Sequence, residues 1–138
     1  MEDPLPQPKR WSRFRTIQRV LDELCEVYGF TSVVLVGAEG LPLAATDLED
    51  QYDPEILAAL AAHLRSSART VQRQMRWSSL DEVNTVSGDG QRLIARLISF
   101  EDEELVLAIL MPHWMSYRKA TTQALEVIRW AWQHRGPE

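Results

Sequence analysis

The run Val33-Val34-Leu35-Val36 is apolar at consecutive positions, turns through Gly37-Ala38-Glu39-Gly40 and resumes as Leu41-Pro42-Leu43-Ala44-Ala45. Two short β-rich runs around a glycine-containing turn predict a hairpin within residues 31–47. The first run does not alternate, so that strand should be covered on both faces, with helices above and below it. Upstream, Phe14, Ile17, Val20, Leu21, Leu24, Cys25 and Tyr28 follow three-four spacing. They predict an amphipathic helix that starts at a Ser12 cap and stops at Gly29.

After an acidic connection, Asp53-Pro54-Glu55 combines a capping side chain, a first-turn proline and an acid near the positive end of the dipole. The helix it opens is expected to run to about Met75. Leu57, Leu60, Ala61, Leu64, Ala68, Val71 and Met75 group on one side. Arg65, Arg69, Arg73 and Arg76 group on another, continuous with Ala58 and Ala62.

Residues 82–87 read as a half-polar strand suited to a sheet edge. Asp89-Gly90 is a hairpin dipeptide. From Arg92 to Phe100, Leu93, Ala95 and Leu97 alternate with Ile94, Ile98 and Phe100, and Arg96 interrupts the second set. Beyond the polar turn 101–104, Leu105 to Met111 is an unbroken apolar strand ended by Pro112. A last helix is expected from a Ser116 cap through Trp132, with Gly136-Pro137 closing it. The order α-β-β-α-β-β-β-α predicts an α/β (α+β) sandwich. Its five-stranded, mostly antiparallel sheet carries the middle helix on one face and the terminal helices on the other.

A chain of 138 residues with 45% hydrophobic content suits a single domain, here residues 12–135 behind a proline-containing lead-in, 1–11. No apolar run approaches the ~20 residues needed to span a bilayer. The start has neither the basic region nor the apolar segment of a signal peptide, so a cytoplasmic location is expected. A net charge of −5 argues against nucleic acid as principal partner.

Candidate chemistry is sparse. Cys25 has no second thiol and falls on an apolar helix side, and His63, His113 and His134 join no ligand pattern, so no metal or cofactor is expected. The segments 37–40 and 88–90 lack the Gly-Lys-Ser/Thr ending of a phosphate loop and are hairpin turns. The acidic stretches 47–55 and 101–104 have no partnered nucleophile, histidine or metal, so an enzyme is not expected. Arg96 either reaches the sheet rim, pairs with a carboxylate or contacts a partner. Trp77 and Trp114, just beyond element ends, are either interface anchors or caps on the core.

The element order, the hairpin from Val33 to Ala45 and the alanine-rich helix opening at Asp53-Pro54 together resemble the roadblock/LC7 family over about residues 17–132. The resemblance implies a non-catalytic scaffold or regulator of a Ras-like small GTPase that acts as a homodimer. In this family the third strands of two subunits join two sheets into one, and the middle helices lie side by side. Carried onto this chain, strand pairing uses Val83, Asn84, Thr85 and Val86, and helix pairing uses Ala58, Ala62, Arg65 and Arg69. Arg73, Arg76 and Trp77 are candidate partner contacts. Trp130 and Trp132 in the last helix are not typical of the family. The alternative is a PAS- or GAF-like sensory domain holding a small molecule between sheet and helix, although only Arg96 puts a polar group into the apolar runs.

Overall fold

The computed structural model describes residues 13–47 and 52–134. It contains α1 (Arg13–Glu26), β1 (Ser32–Val36), β2 (Pro42–Ala45), α2 (Pro54–Met75), β3 (Glu82–Val86), β4 (Gln91–Ser99), β5 (Glu104–Pro112) and α3 (Arg118–Gln133). The expected element order holds. The Ser12 cap, the Gly136-Pro137 stop and the lead-in lie outside the described residues. Tyr117, rather than Ser116, stands at the N-cap of α3, and its side chain makes no capping bond.

The strand order is β2-β1-β5-β4-β3, and every neighbouring pair is antiparallel. Each unbroken apolar run divides its residues between two cores, because successive side chains point to opposite faces. Val33, Leu35, Leu105, Leu107, Ile109 and Met111 pack with α1 and α3, whereas Val34, Val36, Val106 and Ala108 pack under α2. Consecutive apolar residues are therefore the signature of a strand covered by helices on both sides.

The α2 layer is built from small residues. Ala58 and Ala61 are fully buried in the same cluster as Ala95 and Ala108. Where these alanines meet, helix and sheet backbones can approach closely. Asp53 accepts a hydrogen bond from the Glu55 amide at 2.9 Å, and Arg76 ends the helix in the left-handed conformation at φ 59°.

The two sheet edges differ. β2 is short, contains Pro42 and meets β1 through an irregular register, while Gln18 of α1 donates to the Ala45 carbonyl at 2.8 Å. Such features blunt an edge. At the opposite edge β3 pairs with β4 on one side, and Asn84, Thr85 and Val86 are exposed.

Candidate interaction surface

The outward-facing backbone groups of β3 follow from the hairpin. Ser87 N donates to Gln91 O at 2.8 Å, and Leu97 N donates to Asp81 O at 3.1 Å. Hydrogen-bonded and non-hydrogen-bonded pairs alternate along an antiparallel ladder. In the register that pairs Val83 with Ala95 and Thr85 with Leu93, these two residues turn their amides and carbonyls toward β4. Glu82, Asn84 and Val86 turn theirs outward. Their side chains share the sheet face of Ile94 and Arg96, under α1 and α3, whereas Val83 packs with the α2 cluster.

The two flanks of α2 have different fates. Ala62 sits on the flank beside Gly40 of the β1–β2 turn, where a Cβ on the glycine would come within 3.3 Å of it. Arg65 donates to the Ala38 carbonyl at 3.4 Å, and Arg69 pairs with Glu104 and with Gln72. Ala58 belongs to the core at 0% exposure. Of the four residues expected to pair helices, Ala58 is buried, and Ala62, Arg65 and Arg69 are half-buried beside the β1–β2 turn and Glu104.

With residues about 100° apart, Ile56, Leu60, Val71 and Met75 fall on the flank opposite Ala62 and Arg69. They are exposed by 54%, 48%, 48% and 58%. Since Ala62 faces the β2 side, this apolar flank looks toward the β3 side of the sheet. Periodicity alone places Leu60, Val71 and Met75 on the buried face. The apolar arc of α2 is wider than the sheet contact, in which the buried residues of the helix are Leu57, Ala58 and Ala61. The close pairing of Ala58 and Ala61 is the sequence signal for where the narrow contact lies.

Arg73 donates to Thr70 at 3.3 Å, and Arg76 and Trp77 are exposed at the end of α2, with Trp77 N bonded to Gln72 O at 3.0 Å. Trp132 is buried, in edge contact with Phe14, and donates from its indole to Glu103 at 2.9 Å. Trp130 is exposed and stacked on His134. Trp114 is exposed at the end of the sheet that carries the β3–β4 turn.

Arg96 resolves to carboxylate pairing within the chain. It is 4% exposed, donates from Nη1 to Thr121 Oγ1 at 2.8 Å and Thr122 Oγ1 at 2.9 Å, and lies 3.5 Å from Asp81 and 3.7 Å from Glu82. Arg118 joins both carboxylates at 2.9 and 2.5 Å, and Tyr117 donates to Glu82 at 2.6 Å. Burial first and the bond to Glu82 second push the Tyr117 phenol above its ordinary value. Hydrogen bonds to Glu82 and Asp81 raise the Arg118 guanidinium by favouring its charged form. A buried cation with two hydroxyls and two carboxylates is a structural lock between β3, β4 and α3.

Two depressions, of about 350 and 470 Å³, are open surface grooves, one beside Tyr28, Ser116 and Lys119 and one beside Leu41, Leu43 and Glu103. The space between the sheet and α1 and α3, where a sensory domain would hold its ligand, is filled by Ile17, Leu21, Ile94, Leu107 and Ile128. Among the described residues, no group of His, Cys, Asp or Glu is placed to hold a metal ion, and no helix is long and apolar enough to cross a membrane.

The Roadblock/LC7 domain model matches residues 16–110. Among solved structures, MglB of Myxococcus xanthus is similar at 17% identity with a TM-score of 0.74, over 87% of this chain and 97% of that one. The gliding protein MglB of Thermus thermophilus is similar at 16% identity and 0.74, over 97% and 100%. A Roadblock/LC7 domain from Streptomyces avermitilis gives 19% and 0.66, over 84% and 94%. No curated protein matches the sequence.

Proposed function

Because the chain belongs to the Roadblock/LC7 domain family, we propose that it is a non-catalytic, homodimeric interaction module that binds a Ras-like small GTPase and regulates or scaffolds it in the cytoplasm. The observation that carries this proposal is the pairing of an open sheet edge with an apolar helix flank on the same side of the molecule. The outward backbone groups of Glu82, Asn84 and Val86 need partners, and a second copy supplies the same groups in reverse order. Exposed Ile56, Leu60, Val71 and Met75 then face the same flank of the partner's helix, which runs antiparallel across the two-fold axis. Helix pairing uses this apolar flank instead of Ala58, Ala62, Arg65 and Arg69, while strand pairing uses Val83 to Val86.

The GTPase part of the proposal rests on the family. Arg73, Arg76 and Trp77, exposed at the end of α2, are the residues proposed to contact the partner. Any effect on hydrolysis would come from ordering the GTPase's own switch and catalytic groups. The test is a pull-down of the Ras-like GTPases of the same organism, loaded with GDP or a non-hydrolysable GTP analogue. Nucleotide-dependent retention of one of them is expected, and failure to retain any in either state contradicts the proposal.

A further inference from the structure

We propose that two copies pair through β3 with Asn84 on the two-fold axis, opposite the partner's Asn84. This inference rests on the homodimer proposed above and specifies its register.

The outward groups restrict the choice. Only residues with outward amides and carbonyls form hydrogen-bonded pairs across the new ladder, and on β3 these are Glu82, Asn84 and Val86. An antiparallel pairing centred on Asn84 sets Glu82 opposite the partner's Val86 and Val86 opposite the partner's Glu82, so every outward group of the strand finds a mate. Centring on Val83 leaves the groups of Val86 facing the residues before the strand. Centring on Thr85 leaves those of Glu82 facing the glycine turn at 88–90. Unpaired backbone groups buried at an interface lose their water without gaining a partner, which favours the complete ladder.

Charge points the same way. Glu82 begins the strand and keeps a carboxylate on the α1 and α3 side of the sheet, where Tyr117 and Arg118 hold it. A register shifted toward Val83 brings Glu82 diagonally next to the partner's Glu82, and like charges across neighbouring strands are destabilising. Centring on Asn84 instead places each Glu82 beside the apolar Val86, which is 57% exposed in the protomer. Asn84 itself is exposed. Its amide both donates and accepts, so it is complementary to its own image on the axis. The axis then stands perpendicular to the joined sheet, and both α2 helices lie on one face with their apolar flanks toward each other.

The test is disulfide trapping in a Cys25→Ser background, with single substitutions Val83→Cys, Asn84→Cys and Thr85→Cys under mild oxidation. In the proposed register residue 84 lies about 5.5 Å from its own copy between Cα atoms, inside the span of a disulfide. Residues 83 and 85 lie diagonally from their own copies, about 7–8 Å apart, outside it. Asn84→Cys is expected to give the covalent dimer at several times the yield of the other two. The register is overturned if Val83→Cys or Thr85→Cys cross-links best, or if none cross-links. The solution mass of the same proteins before oxidation separates the causes. A non-covalent dimer with the wrong cross-link sinks only the register, whereas a monomer sinks the homodimer as well.

Discussion

The Tyr117 hydroxyl donates to the Glu82 carboxylate at 2.6 Å, which ties the turn before α3 to the first residue of the edge strand. Arg118 and Arg96 hold the same carboxylate. The edge offered for pairing is therefore anchored at one end by α3, and its geometry depends on residues far away in sequence.

Tyr117 should titrate above the ordinary phenol range, because burial and the bond to Glu82 both favour its neutral form. A folded pKa above the unfolded one gives stability that is fully present below the unfolded value near 10.0 and is lost as pH rises through the folded value. Urea denaturation between pH 8 and 11 is expected to show this loss in the parent protein, with a smaller loss in Tyr117→Phe. Equal slopes would mean that the bond does not couple to folding.

Arg96→Ala removes a buried cation, leaves the Thr121 and Thr122 hydroxyls without its donor, and takes an ion-pair partner from Asp81 and Glu82. Charged hydrogen bonds are worth about 1.5–3 kcal/mol, so a destabilisation of about 3 kcal/mol is expected in chemical denaturation. Thr122→Ala removes one exposed acceptor and should cost about 1 kcal/mol or less. An Arg96→Ala midpoint indistinguishable from that of Thr122→Ala would show that the cluster is not a lock.

Proline substitutions at neighbouring positions of β3 should separate assembly from folding. Val86→Pro deletes an outward amide and is expected to weaken the dimer at least about tenfold with little loss of protomer stability. Thr85→Pro deletes an amide that faces β4 and should destabilise the fold by about 3 kcal/mol. Circular dichroism melts beside light-scattering masses check both.

Leu60→Glu places a charge on the exposed apolar flank of α2. The protomer fold should be preserved, with a change within about 0.5 kcal/mol as for other surface substitutions. Self-association should fall sharply, since two symmetry-related carboxylates would enter one apolar contact. Unchanged mass at micromolar concentration would move the helix contact elsewhere.

Much of the fold was legible because its signals are local. Consecutive apolar residues in β1 and β5 announced a sheet covered on both sides, and Asp53-Pro54 marked the start of α2. The edge position of β3 followed from its half-polar composition. The α2 surface was less legible, because its apolar arc exceeds the narrow contact made by Leu57, Ala58 and Ala61, and a helical repeat does not say which part of a wide arc meets the sheet. The role of Arg96 was out of reach for another reason. Its partners Asp81, Glu82, Thr121 and Thr122 come from different elements and converge only in the folded chain.

Whether the protein is a homodimer is decided by the mass of the unmodified chain in solution, measured by sedimentation equilibrium at micromolar concentration. A homodimer has twice the 15.8 kDa chain mass, and that is the expected value. A single species of 15.8 kDa would contradict it.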